Sequence, residues 1–464
     1  MTMGTLASAA RDMGGQLRGP DRSFESVSTD TRTLTPGQLF FALRGERFDA
    51  AEFVADAALR GAAGAVVERA ISASLPQVEV PDSRLALGAL ARKWRQKFAI
   101  PMIGITGSNG KTTVKELTTA IMRVVFAAAG DDAVLSTRGN LNNDIGVPLT
   151  LLSLRDHHRA AVIEMGANHP GEIAALAEMA AVNVAIISNA ARAHIEGFGS
   201  IEEVARTKGA IVESLGAAGT AILNRDDRFF AYWRGRVGAA KVQSFGLSAE
   251  ADYRAENIRL AVREGQTGYE FDMITPVGNC PIWLPLAGKH NVLNALAAAA
   301  ATLAAGATLD QVSIGLRTSR NVAGRLRAFT VPSGATIYDD SYNANPDSVT
   351  AAIRFLADLD GESCLVLGDM GELGPDALEL HRGIGTIARD AGIDRLWCVG
   401  ELSRATAAGY GDDARWFGSV TELGDFLLGE LQPGRNILIK ASRFMGLDRL
   451  VRRIEATAGN EAEG

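Results

Sequence analysis

The sequence predicts an α/β protein of about three domains, built on largely parallel sheets. Three observations carry this. The chain has 464 residues. Short apolar runs alternate with helical patterns along its length. The stretch GITGSNGKTTVKE at 104–116 sets a glycine-rich turn between an apolar run and a helix start. Fifty glycines and 6% aromatics suit tight turns and small-residue helix packing.

The first block, residues 1–98, carries β-like pieces at QLFFAL (38–43) and GAVVE (64–68), with an Ala-rich helix at 50–60 between them. The second, residues 99–324, opens on AIPMIGITG and continues with apolar strands at 160–166, 182–189 and 219–224. Helical patterns separate these strands, which predicts a parallel sheet covered on both faces. The third, residues 325–464, alternates strands at 335–343, 362–374, 394–401 and 436–442 with helices at 346–358 and 376–391. That is a second doubly wound sheet, Rossmann-like in its alternation. The tail GNEAEG reads as frayed.

A net charge of −7 argues against a nucleic-acid-binding surface. Cys280, Cys364 and Cys398 are far apart and odd in number, so they read as small core residues in a reducing, cytoplasmic compartment. No window reaches about 18 uncharged apolar residues, so no membrane span is expected. The opening MTMGTLASAARDMGG lacks the charged and apolar regions of a signal peptide.

The turn at 107–110 reads as a phosphate loop. Gly107, Ser108, Asn109 and Gly110 offer backbone N–H groups to an anion, and the helix N-terminus adds its partial positive charge. Lys111 can reach the β- and γ-phosphates of a nucleotide, and the hydroxyl of Thr112 or Thr113 can bind Mg²⁺. The pattern is T-G-x-x-G-K-T-T, with Ile105 where the commoner motif has glycine. A plain turn with an exposed lysine does not explain strand, turn, Lys-Thr and helix in this order. A guanine-reading switch would need more than the polar turn NRDD at 224–227.

Charged groups also fall at strand ends. Glu164 closes the run AAVI, and His194 lies just past VAIIS. Ligands of open parallel sheets collect at the carboxyl ends of strands, so Glu164, His194 and Thr112 are candidates for a shared Mg²⁺. Taken singly, Glu164 would be a cap, His194 a loop histidine and Lys208 a solvated helix lysine.

The segments TGSNGKTT, VIEMGA, AHIEGFGS, RTKG, GKHNVLNA, GR and YDDSYNANPDS, in this order, resemble the ATP-dependent Mur ligases over nearly the whole chain. Residues 136–152, YNANPDS and 365–374 most resemble the branch that adds D-alanyl-D-alanine. Folylpolyglutamate synthases share the layout but carry a different segment in place of YNANPDS. The resemblance implies a three-domain Mur ligase architecture. A UDP-substrate domain would span 1–98, a central P-loop ATP domain 99–324, and a Rossmann-like domain for the amino substrate 325–464. It implies ATP and Mg²⁺ as cofactors, and UDP-N-acetylmuramoyl tripeptide and D-alanyl-D-alanine as partners of a monomer. ATP would convert the tripeptide carboxylate to an acyl phosphate, which the dipeptide amine attacks.

For the site, the resemblance implies Lys111, Glu164, His194 and Lys208 as catalytic residues, with Thr112, Glu164, His194 and a carbamylated Lys208 around the metal. Asn291 and Asn294 would meet adenine, although helix capping is the plainer reading. Arg325 would reach the ATP phosphates and Asp340 the ribose, with Asp339 a possible substitute. Tyr342, Asn343 and Asn345 are candidates for the amino substrate, Asn345-Pro346 being otherwise a turn. Asp30, Arg32 and Arg44 are candidates on the UDP side, and Thr137, Asn140, Asn142 and Asn143 on the peptide side. Ala191 departs from the family, which often carries glycine near this place.

Overall fold

Local patterning becomes three larger sheets in sequence order. The computed structural model of the chain describes residues 2–45, 49–192 and 195–460. The first sheet has five strands, in the order Gln16–Arg18, Gln77–Glu79, Gly64–Val67, Gln38–Phe41 and Ser26–Ser28. The Ala-rich helix between its middle strands is a 3-10 turn, Ala50–Phe53, running into Val54–Leu59. Helix Ser83–Arg95 then leads to the central sheet. Its Arg95 donates to the carbonyl of Ala180 at 2.8 Å, fastening this connection to the second sheet's helices.

The central sheet has nine strands. Their order is Gly278–Leu284, Gln266–Thr275, Tyr253–Arg263, Lys241–Gly246, Thr220–Asn224, Val184–Ile187, Met102–Thr106, Ala160–Glu164 and Val134–Ser136. The strand Met102–Thr106 is buried throughout. Its Met102 packs into the core on one face, while Ile103 and Ile105 pack into the core beneath helix Lys111–Val125 on the other. One expectation needs correction: the sheet is not all parallel. Tyr253–Arg263, Gln266–Thr275 and Gly278–Leu284 pair antiparallel at one edge. Their wet outer face makes YRAENIRLAVR alternate rather than run apolar. Glu264 and Gly265, both at positive φ, make the first hairpin turn.

The third sheet runs Arg327–Thr330, Thr336–Asp340, Arg435–Lys440, Glu362–Gly368, Arg395–Val399, Arg415–Phe417. All its pairs are parallel except the first. The last strand in sequence inserts beside Thr336–Asp340, so Asp340 and Lys440 become register partners at a carboxyl end. Among the described residues no helix is long and apolar enough to cross a membrane. All three cysteines are free.

Candidate active site

The phosphate loop joins strand Met102–Thr106 to helix Lys111–Val125. Gly107 (φ 151°) and Gly110 (φ 82°) are needed for close approach. A Cβ on Gly107 would stand 1.8 Å from Ser188 Oγ, and one on Gly110 2.4 Å from Asn294 Oδ1. The loop is latched to the end of the neighbouring strand. Asn109 N donates to Asn189 Oδ1 at 2.9 Å, and Ser188 Oγ donates to Asn109 O at 2.6 Å. Ser108 Oγ accepts from Ala191 N at 2.9 Å, so alanine's backbone suffices at the position where glycine was expected. Lys111 Nζ curls back to the carbonyls of Gly107 (2.7 Å) and Ser108 (3.2 Å). Desolvation lowers the Lys111 pKa, Glu164 opposes this, and the Arg325 cation adds to it.

Glu164 ends its strand with 2% exposure. Its Oε1 accepts from Asn142 Nδ2 at 2.8 Å and Thr112 Oγ1 at 3.3 Å. Its Oε2 is buried and has no hydrogen-bond partner among the described residues. A bare carboxylate oxygen beside a threonine hydroxyl and the phosphate loop is a donor set that fits a hard divalent cation. Thr137 needs correction as a peptide contact. It is buried behind Glu164, where its Oγ1 accepts the Glu164 N–H at 3.0 Å. Asn140, Asn142 and Asn143 do line the cavity in front, though Asn143 Oδ1 is engaged by the Gly146 N–H at 2.9 Å.

His194 lies outside the described residues. Lys208, on helix Ile201–Glu213, is 2% exposed and does not line the cavity; its Nζ lies 6.0 Å from the Phe198 ring centre. Burial pushes its pKa well below the ordinary lysine value, and the Lys111 cation adds to this.

The third sheet closes the cavity from the other side. Arg325 Nη2 donates to Thr112 Oγ1 at 3.3 Å, and its guanidinium lies 4.2 Å from the Tyr342 ring centre. Asn345 caps helix Pro346–Ala357 and donates to Asn109 Oδ1 at 2.7 Å. Asp340 faces the cavity, ion-paired with Lys440 at 2.5 Å. Asp339 is not its substitute: it is buried, accepting from Gly324 N (2.9 Å) and Ser341 Oγ (2.6 Å). Asn343 gives its carbonyl to Lys440 at 2.9 Å. Asn291 and Asn294 do not cap their helix. Asn294 Nδ2 donates to Asn291 Oδ1 at 2.8 Å, which places both beside Gly110.

The glycine-rich loop, Glu164, Asn142, Asn294, Arg325 and Asp340 line a cavity of about 1080 Å³ between the second and third sheets. A second cavity of about 830 Å³ flanks the phosphate-loop helix and shares Thr113, Asn291 and Arg325 with the first. Sequence reasoning missed Ser188, Asn189, Lys440 and the Arg84–Asp144 pair (2.9 Å) on the cavity wall. The strand-end argument that found Glu164 applies equally to Ser188 and Asn189. Asp30 and Arg32 pair with each other at the surface, where the Arg32 hydrogen bond holds Asp30 down to about 2. Arg44 forms an isolated bridge with Asp49. None of the three lines the central cavity.

Residues 105–302 match the Mur ligase middle domain, and residues 324–443 the glutamate ligase domain of the Mur ligases. The chain is 43% identical over 455 residues to UDP-N-acetylmuramoyl-tripeptide--D-alanyl-D-alanine ligase of Escherichia coli (strain K12), covering 97% of this chain and 98% of the relative. The chain belongs to the Mur ligase family. This Mur ligase superposes on MurF from Acinetobacter baumannii with a TM-score of 0.91 at 35% identity, covering 98% of this chain and 99% of the other. It also shares the fold of the Thermotoga maritima MurF ligase in complex with ADP, with a TM-score of 0.82 at 24% identity, over 94% and 98% of the two chains. The family is ATP-dependent, in keeping with the phosphate loop of this Mur ligase.

Proposed function

We propose that this Mur ligase joins D-alanyl-D-alanine to UDP-N-acetylmuramoyl-L-Ala-γ-D-Glu-(diaminopimelate or L-Lys), completing the cytoplasmic peptidoglycan precursor. The observation that carries this reading is the near full-length likeness to an enzyme of that name. The cavity supports it, because its walls supply what two anions need when brought together.

Residues 1–98 hold the UDP moiety, with Asp30, Arg32 and Arg44 as contacts. Residues 99–324 hold ATP, and residues 325–464 bring the amino substrate. The phosphate loop cradles the β- and γ-phosphates, with Lys111 leaving its two carbonyl partners to meet them. The base and ribose run past Asn291, Asn294, Asp340 and Arg325 toward the neighbouring cavity. Mg²⁺ held by Glu164 Oε2, Thr112 and His194 would neutralise phosphate charge and stabilise the transferring phosphoryl group. The peptide carboxylate, lying by Asn140, Asn142 and Asn143, attacks the γ-phosphorus, and the bond to ADP breaks. The dipeptide amine, held near Tyr342, Asn343 and Asn345, then attacks the acyl carbon. Phosphate leaves with the bonding pair, and the nitrogen loses a proton. Lys208 enters as a carbamate: burial favours its neutral amine form, which adds CO₂ and releases a proton, leaving an oxygen anion where the amine stood.

Phosphate release measured with each substrate omitted tests the reaction. Release should need both the muramoyl tripeptide and D-alanyl-D-alanine. Hydroxylamine should trap the activated acid as a hydroxamate. Turnover with glutamate and tetrahydrofolate instead would move the chain to folate chemistry.

A further inference from the structure

Lys115 is 2% exposed, on the inner face of the phosphate-loop helix. A buried ammonium is costly unless it is paired and hydrogen-bonded, and methionine would fill the same space without that cost. Lys115 Nζ donates to the Thr137 carbonyl at 2.9 Å and meets Glu116 Oε1 at 2.8 Å. It does not line the cavity. What it holds is Thr137, which is tied in two further ways. Thr137 N donates to Val162 O at 3.1 Å, and Thr137 Oγ1 accepts from Glu164 N at 3.0 Å. Thr137 is also the root of the loop carrying Asn142, whose amide donates to Glu164 Oε1 at 2.8 Å. Both grips on Glu164, one at its backbone and one at its carboxylate, therefore hang from a residue that Lys115 fixes.

We infer that Lys115 is a positioning residue, which aims the Glu164 carboxylate through Thr137 and the Asn142 loop. The inference rests on the reading of Glu164 as a cation ligand. Groups that orient a ligand from behind typically change metal affinity when lost, whereas a bond serving only packing changes stability.

The test is Mn²⁺ binding to the ADP complex, followed by the electron paramagnetic resonance of free Mn²⁺. Lys115→Met should weaken Mn²⁺ binding roughly 10-fold, while metal-free ADP binding stays within about twofold of wild type. Wild-type Mn²⁺ affinity in a folded Lys115→Met protein overturns the inference. Glu164→Gln is the control. If it leaves Mn²⁺ affinity unchanged, the reading of Glu164 has failed; if it weakens binding and Lys115→Met does not, the positioning role has failed. Should Lys115→Met not fold, Thr137→Ser and Thr137→Val read the second step of the relay, from the Thr137 hydroxyl to the Glu164 N–H. Serine keeps the acceptor for the Glu164 N–H and should bind Mn²⁺ as wild type does. Valine removes it and should bind more weakly, and equal affinity in the two variants overturns the inference.

Discussion

Asn345 Nδ2 donates to Asn109 Oδ1 across 2.7 Å, tying the first turn of a helix in the third sheet's layer to the phosphate loop. The opposite end of the same amide accepts the Ser348 N–H at 2.9 Å and caps that helix. The two roles can be separated. Asn345→Ser keeps a good cap but is too short to reach Asn109. Its unfolding free energy should stay within about 0.5 kcal/mol of wild type, whereas Asn345→Ala loses about 1 kcal/mol. Both variants should lose roughly tenfold in kcat/KM for ATP, equivalent to about 1.4 kcal/mol. Small-angle scattering of Asn345→Ser should show a larger radius of gyration than wild type with nucleotide bound, because the junction between the second and third sheets has lost a hydrogen bond.

Glu164 carries one oxygen that is satisfied and one that is buried and bare. Glu164→Gln keeps the shape and removes the charge. Turnover should fall by roughly 100-fold or more, a loss on the scale of an electrostatic group at a developing charge. The melting temperature should hold or rise, because no described hydrogen bond to Oε2 is lost. Steady-state phosphate release and thermal unfolding check the two halves, and a variant with near wild-type turnover would refute the role.

Arg325 reaches Thr112 and stacks on Tyr342 in one conformation. Arg325→Lys preserves charge but loses the planar fork and much of the stacking. The expected result is a fall of roughly 10- to 100-fold in kcat/KM for ATP with the fold intact, since the stack and the hydrogen bond together are worth about 1.5–3 kcal/mol. Kinetics of Arg325→Lys and Tyr342→Ala, with their double variant, would show whether the pair acts as a unit.

The buried Lys208 predicts a pH dependence of stability. Its folded-state pKa lies well below the unfolded value. Between the two, the unfolded chain binds the extra proton, so this group's penalty shrinks as pH rises toward about 10.4. In CO₂-free buffer, Lys208→Met should melt roughly 2–4 °C above wild type at pH 7, the shift expected for about 1 kcal/mol. The gap should narrow as pH climbs, and a gap independent of pH would contradict desolvation as its cause. Ligase activity should be lost in the same variant.

Much of this site was legible residue by residue. Gly107, Gly110 and Lys111 announce themselves because a strand, a tight turn and a helix start are set by short-range backbone geometry. Glu164 was legible for a related reason: a lone carboxylate at the end of a buried strand lands where a parallel sheet collects ligands. The antiparallel edge at 253–284 was missed because half-wet strands alternate and so do not form apolar runs.

The sequence by itself determined the α/β alternation, the glycine-rich turn between strand and helix, and the acidic strand end. Only the tertiary structure decided that Asp340 rather than Asp339 faces the cavity, that Thr137 supports Glu164 from behind, and that Asn345 meets Asn109 from 236 positions away. The physical reason is range. Helix, turn and strand formation depend on neighbours a few residues apart, whereas the direction of one side chain across a domain junction depends on how whole packed layers settle against each other.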